Sequence, residues 1–181
     1  EIEKVVEEVI RRVRKVLEEV ERSVRDTIER IKDVLRRVEE VVRRTDKTIR
    51  DVLDRIRKEI SDKDKLARVK EIVDEALERS RRSLDEVRKR VEDVVRDSER
   101  SLEEAERIVR EAIKRLEELL RQKVRDEDIR RVLEDIRREL KRIVDENRKL
   151  AEEIIRTLER MVEKNKELMK EVVKKLEEDS R

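Results

Sequence analysis

Carboxylates are the commonest groups in this sequence that could take part in chemistry. Asp and Glu make up 51 of its 181 residues, and neighbours such as Glu7-Glu8, Glu18-Glu19 and Glu152-Glu153 resemble the oxygen donors of a divalent metal site. The chain also has 53 Lys and Arg, and residues of both signs alternate along it. Opposite charges three or four residues apart stabilise a helix by about 0.2–0.5 kcal/mol per pair. We therefore expect solvated helix faces, and no metal or other cofactor.

Missing residue types exclude most other kinds of site. The sequence has no His, Cys, Gly, Trp, Tyr or Phe. It therefore lacks an imidazole base, a thiolate nucleophile and the usual zinc ligands. Phosphate-binding loops need glycine, and base-stacking surfaces need aromatic side chains. These absences argue against an enzyme of any common class.

The elements that position the remaining polar residues follow from the spacing of the apolar ones. Apolar residues occupy eight positions from Ile2 to Leu17, and the same pattern restarts at Val20, Val38 and Ile56. Its period of about 18 residues makes about five helical turns, so the apolar stripe keeps its direction and covers an arc of about 140°. The pattern predicts nearly straight α-helices, each in contact with two others.

Two breaks in this pattern mark turns. They fall at Ser61–Lys65 and at Gln122–Asp128, so we predict helices near residues 2–60, 63–121 and 126–180. Each helix has about 58 residues, and short turns between long helices make antiparallel neighbours. The predicted fold is all-α: a single domain, 1–181, folded as a coiled-coil-like, up-down-up three-helix bundle. The turns carry no Gly or Pro, which leaves their conformations and the handedness of the bundle open.

Ten of the Ser, Thr and Asn residues form two predicted layers across the bundle, separated by one period of the apolar pattern, or about 27 Å. The first layer consists of Ser23, Thr27, Ser98, Ser101 and Asn147. The second layer consists of Thr45, Thr48, Ser80, Ser83 and Asn165. Antiparallel counting places Ser101 level with Asn147 and Ser83 level with Asn165. Four of the ten residues fall at the centre of the apolar stripe: Ser80, Ser98, Asn147 and Asn165.

Three interpretations of these layers are possible: a ligand or active site, solvated surface residues, or a buried hydrogen-bond network. Hydroxyls and amides alone contain no group that activates a nucleophile, and central stripe positions argue against solvation. We favour the network, because Asn, Ser and Thr each have donors and acceptors. Its role would be helix register and pairing specificity. Charged residues that interrupt the stripe, such as Asp46, lie at its edges, where we expect side chains to reach water.

Charge and hydropathy limit the possible partners. The net charge is +2 without a basic face, so we expect no nucleic acid partner. The longest apolar run has two residues, so we expect no membrane span, and no secretory signal lies near Glu1. We expect a soluble monomer that needs no partner or small molecule and would stay in the cytoplasm on recombinant expression.

With one repeated template, an Ile, Leu and Val core and aligned polar layers, the chain resembles computationally designed three-helix bundles with buried hydrogen-bond networks. The resemblance implies a very stable, monomeric scaffold, or the parent of a split assembly of separate helices. It implies no catalysis, cofactor or native cellular location. Two other functions stay open, a helix-pairing module and a natural spectrin-like spacer, although such spacers usually carry aromatic residues and irregular heptads.

Overall fold

A computed structural model describes residues 1–179 and consists of three long α-helices. They are α1 (Ile2–Glu59), α2 (Lys63–Leu120) and α3 (Asp126–Asp179), and residues 1–179 contain no β-strand. The helices pack against one another, which confirms the predicted all-α three-helix bundle. The bounds predicted from the apolar spacing agree within one residue, although the predicted end at Ser180 lies outside the described residues.

Aspartates cap the two helices that follow turns. The Asp62 carboxylate accepts a hydrogen bond from the Asp64 backbone N–H at 2.9 Å, which satisfies one of the free donors at the start of α2. At the start of α3, the Asp128 carboxylate accepts from the Arg125 N–H at 3.4 Å, as in a capping box. Both carboxylates also lie at the end of the helix where its dipole favours negative charge.

The turns need no glycine. No residue in the described part of the chain has a positive φ, the backbone region in which glycine is favoured. Two backbone hydrogen bonds that span three residues end α2. The Arg121 N–H donates to the Glu118 C=O at 3.1 Å, and the Gln122 N–H donates to the Leu119 C=O at 3.2 Å. Because such bonds close the helix with ordinary dihedral angles, the absence of Gly and Pro is compatible with both turns.

The chain divides into two compact units, each containing one segment of all three helices. Unit 1 consists of Glu1–Arg30 and Asp93–Glu152, and unit 2 consists of Ile31–Glu92 and the part of α3 from Glu153 on. Each unit therefore holds one of the two predicted polar layers. The two layers therefore place the same residue types in two different surroundings, which can be compared.

Apolar side chains from all three helices fill the core of unit 1. Val13 and Val24 on α1, Leu116 on α2, and Ile129 and Leu140 on α3 are fully buried in one cluster. Leu116 lies near the end of α2, whereas Ile129 lies near the start of α3. Because a short turn joins these two ends, α2 and α3 run antiparallel in this unit.

Unit 2 has a core of the same composition. Ile49 on α1, Val69 and Val73 on α2, and Leu176 on α3 are almost completely buried in one cluster near the first turn. A salt bridge also joins two helices here, from Arg88 on α2 to Glu39 on α1 at 2.7 Å. Both side chains are only partly exposed, so this pair is better shielded from water than the others along the chain.

Candidate functional site: two polar clusters in the core

One polar contact between helices lies in the core of unit 1. The Ser98 hydroxyl donates to the Asn147 side-chain oxygen at 2.5 Å, and the two residues are 0% and 3% exposed. Thr27 instead donates to the Ser23 carbonyl oxygen on its own helix at 2.8 Å. Ser101 is half-buried and donates to the carbonyl oxygen of residue 97 at 3.0 Å. The hydrogen bond that joins two helices is thus confined to Ser98 and Asn147.

Unit 2 contains the same pair of residue types with the amide reversed. The Asn165 side-chain nitrogen donates to the Ser80 hydroxyl at 3.0 Å, and both residues are 4% exposed. Thr45 is buried and donates to the Val41 carbonyl oxygen at 2.9 Å. The Asn165 side-chain oxygen is buried and has no hydrogen-bond partner. This arrangement satisfies the amide less fully than the one in unit 1.

The structure corrects the predicted layers in two respects. Thr48 and Ser83 are exposed, so they lie outside any buried network, and Thr48 donates to its own helix at the Arg44 carbonyl oxygen. The threonine hydroxyls bond to carbonyl oxygens four residues earlier, a local alternative that sequence counting ignored. A network closed across three helices is therefore replaced by one Ser–Asn pair per unit.

The second correction concerns register. Counting placed Ser101 and Ser83 level with the two Asn residues, whereas the bonded serines are Ser98 and Ser80, three residues earlier. Three residues are about one turn, so each bonded serine lies about 4.5 Å along α2 from the serine that counting placed level with the Asn. The five residues of the turn before α3 were counted without knowing their conformation. The position of each serine at the centre of the stripe was the better signal, because that position faces the core.

Asp46 is a half-buried carboxylate that the sequence did not indicate. We expected charged residues at stripe edges to reach water, and Glu59, Arg90 and Arg137 are indeed exposed. Asp46 is half-buried, and one of its carboxylate oxygens is buried without a hydrogen-bond partner. Burial raises the pKa of Asp46, and Arg50 lowers it in part. An aspartate has only one methylene group, so its short stem leaves one carboxylate oxygen buried at this position.

Replacing Asp46 should stabilise the protein at neutral pH. Asp46→Ala removes a carboxylate whose charged form is disfavoured by burial. The free energy of unfolding at pH 7 should therefore increase more in Asp46→Ala than in Asp51→Ala. Asp51 is an exposed control on the same helix with the same gain in helix propensity. Because the folded-state pKa of Asp46 is raised, its cost appears as pH rises through that pKa and is absent below the unfolded-state value.

Guanidinium unfolding of both variants at pH 7 and pH 3 measures this effect. The advantage of Asp46→Ala over Asp51→Ala should be present at pH 7 and vanish at pH 3. An equal advantage at both pH values would show that the carboxylate charge has no part in it.

The remaining carboxylates lie on exposed helix faces. Glu8 pairs with Arg12 at 2.8 Å, and the other two neighbouring pairs considered above, Glu18-Glu19 and Glu152-Glu153, are exposed. Within residues 1–179, no group of three or more acidic side chains is placed to hold a metal ion. Most salt bridges join residues three or four apart on one helix, which is the pattern expected of a solvated face.

The two polar clusters have limited chemical capacity. Ser98 donates to an amide oxygen and Ser80 accepts from an amide nitrogen, and neither contact is to a base that could remove a hydroxyl proton. What these groups can do is exchange hydrogen bonds with each other or with a ligand of complementary polarity. These groups can therefore bind a ligand or hold two helices together.

Comparisons with known proteins give no further assignment. None of the three described helices has an apolar stretch long enough to cross a membrane. Searches against protein-family models, curated proteins and solved structures found no significant match to this chain.

Proposed function

We propose that this chain is a computationally designed, monomeric scaffold without an evolved catalytic activity, in which buried Ser–Asn pairs set helix register. One observation carries the proposal: the Ser98–Asn147 pair recurs as Ser80–Asn165, one period of the apolar pattern away along each helix. Both pairs connect α2 to α3 and are at most 4% exposed. Recurrence at the period of the apolar pattern is typical of a helix built from one repeated template.

The pairs supply specificity because a misaligned helix leaves them unsatisfied. If α3 slipped along α2 by one turn towards the start of α2, Asn147 and Asn165 would face apolar side chains. Each buried polar group left without a partner costs about 1–3 kcal/mol. The correct register avoids this cost, while aliphatic contacts alone would discriminate weakly between registers.

The distribution of apolar side chains supports the proposed monomeric state. Among residues 1–179, Leu120 is the one large apolar side chain classed as exposed, at 38%. The helices of each unit thus cover one another's apolar stripes. A further subunit would find no sizeable apolar surface, which stable interfaces usually need.

Separating the three helices tests the proposal. We expect equimolar peptides of residues 1–60, 62–121 and 125–181 to form a single 1:1:1 complex, seen by native mass spectrometry. The matched control carries Ser80→Ala, Ser98→Ala, Asn147→Leu and Asn165→Leu, which leave no polar group of either pair. The control should assemble with extra stoichiometries, because nothing then penalises slipped or homomeric pairing.

The same experiment addresses the alternative function, a helix-pairing module or the parent of a split heterotrimer. The Arg88–Glu39 contact between α1 and α2 favours that alternative, since it adds a charged contact between two helices. A 1:1:1 complex of high affinity would support both functions. If the original peptides gave as many wrong stoichiometries as the control, the Ser–Asn pairs would not be specificity elements.

A further inference from the structure

Unit 2 contains a solvent-open cavity between α2 and α3 beside the Ser80–Asn165 pair. Its volume is about 380 Å³, within the range of small-molecule sites. Four cations line it, and Glu86 is the one carboxylate among its lining residues. The cations are Arg79, Arg90, Arg160 and Lys164.

The charges of the four cavity cations are not neutralised by salt bridges. Some Arg and Lys side chains elsewhere form salt bridges with carboxylates three or four residues away. None of the four cavity cations has a salt bridge to a carboxylate among the residues that the structure describes. A cavity bordered by unpaired cations is a favourable place for a negative ligand.

Unit 1 provides an internal comparison for the same positions. Moving one period of the apolar pattern along each helix carries Ser80 and Asn165 onto Ser98 and Asn147, and the cavity cations onto other residues. Arg79, Arg90 and Lys164 correspond to Asp97, Ile108 and Glu146, and Arg160 corresponds to Arg142. Both units thus keep the polar pair, but three of the four cations occur only in unit 2.

The acidic character of unit 1 extends to the other equivalent positions. Thr157 and Glu86 of the cavity correspond to Glu139 and Glu104. The equivalent positions of unit 1 therefore carry four carboxylates and one cation. That cation, Arg142, lies 4.0 Å from the Glu146 carboxylate. The basic cavity is therefore not a consequence of the repeated template.

The register of the helices places the cations at two levels. The hydrogen bond between Ser80 and Asn165 fixes which residues of the two antiparallel helices are level. Lys164 then lies close to the level of Arg79, and Arg160 lies closer along the helices to Arg90 than to Arg79. The midpoints of these two pairs are separated by about two turns, or about 11 Å along the helices. Two anionic groups joined by a short polyol would match this separation.

The buried Asn165 amide also indicates a ligand in this cavity. The Asn165 oxygen has no partner, whereas in unit 1 the corresponding oxygen accepts from Ser98. A half-turn of the Asn165 amide would reproduce the unit 1 arrangement and leave its N–H groups as donors. Asn165 lines the cavity, so an anion there would favour this orientation.

We propose that this cavity binds a small organic bisphosphate, one phosphate group at Arg79 and Lys164 and the other at Arg90 and Arg160. Arginine suits phosphate because its planar fork donates two parallel hydrogen bonds. The exposed Ser83 hydroxyl lines the same cavity and adds a donor. This site goes beyond the proposed scaffold function and replaces the expectation that the chain binds no small molecule.

Calorimetric titration of the full chain with fructose 1,6-bisphosphate at low salt tests the proposal. We expect a dissociation constant on the order of 10–100 µM, with one site per chain. Inorganic phosphate and citrate serve as comparison ligands and should bind at least tenfold more weakly, since neither presents two phosphate groups. Absence of binding at 1 mM bisphosphate would overturn the proposal.

A pair of double variants separates the site from general attraction to charge. Arg79→Asp with Lys164→Glu installs the residues that unit 1 carries at these positions, and should weaken binding at least tenfold. The control, Arg11→Asp with Lys15→Glu, makes the same charge change at exposed positions of α1 in unit 1. Equal weakening in both variants would show that the bisphosphate responds to net charge alone.

Side-chain amide signals give a readout on the unmodified protein. The chain has two Asn and one Gln residue, so its nitrogen-15 NMR spectrum contains three side-chain amide pairs. Bisphosphate should shift the Asn165 pair and leave the Asn147 pair in place. Equal shifts of both pairs, or of neither, would contradict a site at this cavity whatever the variants do.

Discussion

Heated to 90 °C at neutral pH, the chain should keep its helical circular dichroism signal. Each fully buried aliphatic side chain contributes about 1.5–3 kcal/mol, and both units bury such side chains from all three helices. Chain entropy cancels most of this sum. The helices need few long-range loop closures, carry no Gly or Pro in their interiors, and have capped starts at α2 and α3. The remaining balance should favour the folded state far above the mesophile range.

Thermal and chemical unfolding together check this expectation. We expect no cooperative transition below 90 °C, and a guanidinium midpoint above 5 M, values that define a hyperstable domain. Substituting both Ser–Asn pairs by Ala and Leu should leave this stability unchanged or raise it, because no polar group is then left unpaired. A cooperative melt of the parent chain below about 65 °C would show that the cores are not packed as described.

The apolar spacing was sufficient to predict the helices. It placed the bounds of α1 and α2 and the start of α3 within a residue of those observed, because a helical period maintained along the whole of each segment admits no other regular structure. The turns were located but not described, since their conformation depends on a few local bonds such as Asp62 to the Asp64 N–H.

The polar site was predicted less completely than the fold. Ser98, Asn147, Ser80 and Asn165 were recognisable from their central positions in the stripe, since burial follows from direction on the helix. The hydrogen-bond partners could not be predicted, because a threonine hydroxyl can bond to its own helix or to a neighbouring helix at similar cost. The cavity in unit 2 was missed altogether. Its cations look like any exposed Lys or Arg until the packing shows which of them share a groove.

Placing a charge at each buried amide should show that the two units differ electrostatically. Asn147→Asp and Asn165→Asp are nearly isosteric, and each introduces a carboxylate at a site that is at most 4% exposed, next to a buried serine. At pH 7, we expect Asn147→Asp to lower the free energy of unfolding by about 3–5 kcal/mol, the cost of an uncompensated buried charge. Asn165→Asp should cost less than half as much, because four unpaired cations line the adjoining cavity.

The pH dependence of these two variants identifies the cause. Burial raises the folded-state pKa of the introduced carboxyl group above its unfolded value of about 3.9. Stability relative to the parent is therefore retained below that value and lost as pH rises through the folded-state pKa. This loss should extend to higher pH in Asn147→Asp, since acidic residues occupy the equivalent positions around it. Equal losses over the same pH range in guanidinium titrations would mean that the cations of unit 2 exert no field at Asn165, and the bisphosphate site would lose its electrostatic basis.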